Sequence, residues 1–207
     1  MKKKFSVLFA LMTLVYSHVP AQETPADADF FAPGSTFIYM VDFVDSEYLF
    51  ISEIVSLDEN GLDSKWFISN NGSQGKLAIS PEALESATTL HNYFVDGDYV
   101  LEDKTSGWVS RKVMQEILAN GKTVLDIGEE EPVEFTLDYQ GQDPEFENAL
   151  FYYPVGVDAR FTDIGSLSAF SIVNEDKGYK IVILNNEDKP MILYMDLGWT
   201  ISLEAII

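Results

Sequence analysis

The chain has no cysteine. Disulfides, thiolate nucleophiles and cysteine-based zinc sites are therefore excluded, and the fold must be held by its core. Histidine is almost missing too, with only His18 and His91 present. A multi-histidine metal centre is out of reach, and any Ser-His-acid mechanism would have to run through His91. Basic residues are scarce, 13 Lys and Arg against 34 Asp and Glu. That balance excludes nucleic acid, whose phosphates call for many cations, and it disfavours anionic membrane surfaces. No apolar run approaches the roughly 20 residues of a spanning helix. The candidate at the start, Phe5 to Tyr16, is 12 residues long and carries Ser6 and Thr13.

That short run follows Met1-Lys2-Lys3-Lys4 and leads into Ser17-His18-Val19-Pro20-Ala21-Gln22. A charged start, a brief apolar middle and small residues at the exit form the signal-peptide pattern. The expectation is export, with residues 1–21 removed after Ala21 and no membrane span in the mature chain. The destination is periplasm, cell surface or medium, and the short lysine-led leader points to a bacterial route. Losing Lys2, Lys3 and Lys4 leaves 10 basic and 34 acidic residues, a formal charge of −24. Such a charge keeps a protein soluble and suits cations or basic partners.

What remains is rich in core material: 46% hydrophobic residues, with 14 Phe and 10 Tyr. This sets the chain apart from acidic disordered sequences, and 186 residues suffice for one domain. Residues 22–34 read as a flexible acidic tether with Phe30 and Phe31 able to dock, and 35–207 as a single β-rich domain. From Thr36 the pattern predicts a meander, with turns at Asp45-Ser46 and Asp58-Glu59-Asn60-Gly61 and a loop at Asn70–Gly75. Two helices follow. Ser80-Pro81 starts the first, and Ala83, Leu84, Ala87, Leu90, His91 and Phe94 share three- and four-residue spacing. Ser110 starts the second, with Val113, Met114, Ile117 and Leu118 as its stripe and Asn120-Gly121 as its stop. Strands then resume, most cleanly at Val133-Phe135-Leu137-Tyr139. The fold class is α+β, mainly β: an antiparallel sheet, sandwiched or rolled into a partial barrel, with about two helices inserted after the meander.

Candidate catalytic groups are Glu53, Asp42, Asp196 and His91. Each of the three acids sits among apolar residues of its strand, where burial would raise a carboxyl pKa. An Asp45-Ser46 turn sets Asp42 opposite Leu49, which puts Asp42 and Glu53 roughly 13 Å apart, too far for a glycosidase pair. His91 on an apolar helix face reads as structural. Calcium is the one cofactor an acidic exported chain suggests, with Asp58, Asn60, Asp63, Asp96 and Asp98 as candidates. These residues do not match a spaced calcium loop, and turn chemistry accounts for them. Trp108, Tyr152 and Tyr153 are the candidate contacts to an unknown protein or small ligand. The function expected is a non-enzymatic binding module. The alternatives are a carboxylate-dependent hydrolase acting on glycan and a calcium-stabilised adhesive or structural domain.

Overall fold

The computed structural model describes residues 30–141, 152–155, 160–163 and 168–207. The expected leader and most of the tether lie outside them. Phe31 at the tether's end is buried, with its ring 5.9 Å from Phe37 and 5.3 Å from Trp108.

The meander forms as read. Strands β1 (Thr36–Phe43), β2 (Ser46–Asp58), β3 (Gly61–Ile68) and β4 (Gln74–Ile79) pair in turn, antiparallel. Alternation sets their faces: Leu62, Ser64, Trp66 and Ile68 of β3 are buried, while Asp63, Lys65 and Phe67 are exposed. At the β2–β3 turn, Asn60 N–H donates to Asp58 Oδ1 at 2.7 Å. Gly61 has φ +111°, and a Cβ there would lie 2.2 Å from the Ile79 carbonyl oxygen, so only glycine fits.

The first hairpin differs from expectation. Phe43 faces Ser46 and Asp42 faces Glu47, which makes Val44-Asp45 the turn. Val44 takes φ 56°, a region β-branched residues avoid, with its side chain 79% exposed. A slip of two residues preserves the faces, so the inside and outside assignments hold although the pairing changes.

Helix α1 (Pro81–Ser86) is shorter than its spacing predicts. Ser80 Oγ accepts from Ala83 N–H at 3.1 Å, but Ala87 is already extended. The chain passes into β5 (Thr89–Leu90). The apolar residues of this stretch divide between two cores: Ala83 and Ala87 pack in one, where Phe94 meets Phe50 and Trp66 at tilted angles, and Leu90 packs in the other. His91 is therefore not on a helix.

After β6 (Tyr99–Leu101) and β7 (Lys104–Thr105), helix α2 (Arg111–Asn120) forms as the sequence predicts. Ser110 Oγ accepts from Val113 N–H, and Gly121 at φ 69° returns its N–H to the Ile117 carbonyl at 2.8 Å. Val113, Met114 and Ile117 are wholly buried, each worth about 1.5–3 kcal/mol of burial.

The remaining strands are β8 (Lys122–Leu125), β9 (Val133–Gly141), β10 (Tyr152–Val155), β11 (Arg160–Asp163), β12 (Ala169–Asn174), β13 (Tyr179–Leu184), β14 (Ile192–Asp196) and β15 (Thr200–Ile206). Eleven strands make one sheet in the order β6-β4-β3-β2-β1-β15-β14-β13-β12-β9-β8. Every neighbouring pair is antiparallel except β4–β6. The β5–β7 pair ties the sheet's two ends together. Thr89 bridges Asp126, just past β8, and β7 follows β6 after a two-residue turn. Two cores result. One lies under β1–β4 with α1, Phe31 and Trp108, and the other packs α2 on β8, β9 and β12–β14.

Candidate functional site

A cleft of about 670 Å³ opens where the two cores meet, and its lining draws on both. One wall is sheet. The inward faces of β1 and β2 supply Tyr39, Val41, Tyr48 and Phe50, and β14–β15 add Met195 and Ile201. This wall is aliphatic and aromatic because alternation sends these residues to the inner face.

The opposite wall is built by β5, β7 and the residues after β8, and it is polar. In the parallel β5–β7 pair Thr89 lies beside Lys104, and His91 N–H donates to the Thr105 carbonyl at 2.7 Å. Paired residues point the same way and period two skips one, so Thr89, His91, Lys104 and Ser106 share the cleft side. All four line it, as does Leu90 between them, while Thr105 is buried outside the lining. Several polar groups of this wall bind one another. Thr89 Oγ1 donates to Asp126 Oδ2 at 3.4 Å, Gly128 N–H donates to Asp126 Oδ1 at 3.0 Å, and Asn92 Nδ2 donates to the Ile127 carbonyl at 3.4 Å.

Two groups are left over. His91 Nε2 is buried without a hydrogen-bond partner. Lys104 makes no ion pair or hydrogen bond among the described residues, although most of the chain's other described cations are paired. Burial first, and the Lys104 ammonium second, hold His91 below the ordinary histidine pKa, against an opposing backbone hydrogen bond at Tyr93. The imidazole packs against Phe94 and Tyr99 at ring separations of 5.0 and 4.9 Å, and those two rings touch each other at 5.2 Å.

The loop that carries His91 is fixed before any ligand arrives. Tyr99 OH accepts from Val95 N–H at 2.7 Å and donates to the Val95 carbonyl at 3.0 Å. Asp96 Oδ1 accepts from Gln74 N–H at 3.0 Å, and Asp98 Oδ1 from Lys76 N–H at 2.8 Å. Phe43, Tyr93 and Val95 are exposed at the cleft, Tyr93 to 73%.

Two other depressions lack such leftover groups. In one, Lys112 pairs with Glu116, Lys122 with Glu134, and Thr123 donates to Glu116. In the other, Arg111 is held by Glu85 and Asp188.

Of the residues singled out in the sequence, only His91 lines the cleft. Glu53 faces Lys65 across β2–β3 and pairs with it at 3.2 Å on the outer face. In the observed register Glu53 lies six residues along from Glu47, the partner of Asp42, about 20 Å away rather than the 13 Å of the expected turn. Asp42 and Asp196 flank Thr200 on either side, which sets their backbones about 10 Å apart. Asp42 is exposed, and Asp196 Oδ1 accepts from Gly198 N–H at 3.0 Å.

Trp108 is 7% exposed and packs in the core against Phe31. Its remaining edge lies in the depression beside Arg111. Tyr152 and Tyr153 lie in β10, paired with β11, and their side chains fall outside the described residues. Asp58 accepts its own turn's N–H, Asp63 Oδ2 accepts from Ser56 Oγ at 3.4 Å, and Asp96 and Asp98 cap β4. Asn60 is exposed at the β2–β3 turn. Among the described residues no three His, Asp or Glu side chains converge as a metal site. A scan against protein-family models and searches of curated proteins and of solved structures find no match.

Proposed function

We propose that this chain is an exported, non-enzymatic binding protein that takes a small, largely apolar ligand between the sheet and the β5–β7 wall. The observation that carries the reading is the cleft itself. It is of ligand size, lies at the seam of two cores, has an aromatic floor, and keeps a few polar groups converging on it. The clamped loop supports it, because a preordered wall loses little conformational entropy on binding. The lysine-led leader and the surplus of acids support export and solubility.

The test uses protein beginning at Gln22 and the uncharged apolar dye N-phenyl-1-naphthylamine. Saturable one-to-one fluorescence enhancement is expected, with energy transfer from Trp199, which lines the cleft, reduced in Trp199→Phe. Absence of saturable binding would overturn the reading.

A further inference from the structure

We infer that the cleft's ligand is an amphiphile with a single anionic head of the carboxylate class, seated on Lys104 and His91, with its apolar body on the Tyr48–Phe50 floor. This rests on the proposed binding function and adds the chemistry of the ligand.

A half-buried lysine with no partner in so acidic a chain is conspicuous, because acids are on offer nearly everywhere; the other described lysine without one, Lys76, is exposed and outside the cleft. Lys65, Arg111, Lys112, Lys122 and Lys177 have each taken one. Lys104 has not, and it lines the cleft. His91 lies diagonally across the β5–β7 pair from it, about 8 Å between backbones, close enough for both side chains to reach one head group. Its Nε2 is buried and unpartnered. A buried polar atom with no partner is costly, and an imidazole that turns to present Nε2 to the head group removes the cost.

The sign and size of the head follow from the surroundings. Burial is the first cause of the low His91 pKa and stays in place, but an anion offsets the second, the Lys104 charge, and so favours a proton on His91 and donation from Nε2. The groups that bear on this centre are Lys104, Asp126, Tyr48 and Tyr93 of the lining, with Tyr99 against the ring. Asp126 is the one carboxylate among them, already engaged by Thr89 and Gly128. One lysine beside one carboxylate, inside a chain of net charge −21, suits a monoanion and opposes the doubly charged phosphate monoester. The apolar wall supplies the rest of the affinity.

The test compares a medium-chain fatty acid with the alcohol of the same chain length, by calorimetry at pH 7, on wild type and Lys104→Met. Methionine keeps the length of the stem and removes the charge. The acid is expected to bind wild type roughly tenfold or more tightly than the alcohol, as a charge-assisted hydrogen bond provides. Lys104→Met should erase that preference, weakening acid binding far more than alcohol binding, and a thermal melt close to that of wild type shows that the variant is folded. Equal binding of acid and alcohol to wild type, or a preference that survives Lys104→Met, would overturn the inference and leave the cleft's function standing. Failure of both compounds to bind would remove the function itself.

Discussion

Replacing Gly75 by alanine should cost far more than a methyl group suggests. A Cβ built there lies 1.7 Å from the Gly97 carbonyl oxygen and 3.1 Å from Trp66 Nε1. The first distance is roughly half of what such atoms keep, and the Gly97 oxygen belongs to the backbone, so no rotamer change relieves it. The 96–98 loop must move off β4. Three hydrogen bonds go with it: Gly97 N–H to the Gln74 carbonyl, Gln74 N–H to Asp96, and Lys76 N–H to Asp98. At about 1 kcal/mol each the loss is about 3 kcal/mol. For a domain of this size that is a fall of about 6–12 °C in melting temperature. Gly72→Ala is the control. Its φ of +75° makes alanine strained, but no atom lies within 4 Å, so about 1 kcal/mol is expected. Thermal and urea unfolding of both variants would measure the difference. Because the same loop carries His91 and Phe94, Gly75→Ala should also weaken binding of the naphthylamine dye. If Gly75→Ala unfolds like Gly72→Ala, the close crossing of these two segments is wrong.

Other expectations follow from single residues. Val44→Asn should stabilise the protein by about 1 kcal/mol, read as a higher urea midpoint, because asparagine tolerates the positive φ of the first hairpin and the exposed valine contributes little packing. Tyr39 OH donates to the Ile192 carbonyl at 3.1 Å from within the core, so Tyr39→Phe should cost about 1 kcal/mol. Burial pushes the Tyr39 hydroxyl well above its ordinary pKa of 10.0. The folded state then holds a proton that the unfolded state releases, and stability should fall as pH rises above 10, less steeply in Tyr39→Phe. His91 carries the opposite sign. Its pKa is lowered, so its contribution is complete above the ordinary value of 6.5 and is lost as pH falls through the folded value. His91 is the only histidine after the expected cut, so its ring signals in NMR titrate alone. They should report a pKa below 6.5 that climbs when the fatty acid is added, and an unmoved titration would contradict the seating of the head group.

Much of the fold was legible because short-range chemistry decides it. The Ser110 cap, the Val113–Ile117 stripe and the Gly121 stop each act within a few residues, and α2 formed accordingly. Strand alternation located the inner faces of β1–β4, since a period of two survives a slip of two. The first hairpin's register did not follow, because turn chemistry favoured Asp45-Ser46 and the structure tolerates a strained Val44 instead. The first helix was over-extended for a related reason. Ala83, Ala87, Leu90 and Phe94 satisfy a helical period, but their partners lie in different cores, and Ala87 is already extended.

The cleft was illegible for want of local signal. Its walls come from residues 39–50, 68–73, 89–95, 104–107, 126–128 and 192–201. Lys104 carries no motif, and His91 read as a structural residue of a helix that ends five residues before it. The alternation of Thr89 and His91, matched by Lys104 and Ser106, was the available sign, but it has meaning only once β5 and β7 are known to pair. Apart from the exposed Asp42, the acids that drew attention serve turns, an ion pair, a cross-strand hydrogen bond and strand caps.

The most direct test of the account is the calorimetric titration of a medium-chain fatty acid and its matching alcohol into the protein and into Lys104→Met. The account predicts one site, a preference of roughly tenfold or more for the acid, and loss of that preference with Lys104. A wild type that binds neither compound, or binds both alike, would contradict it.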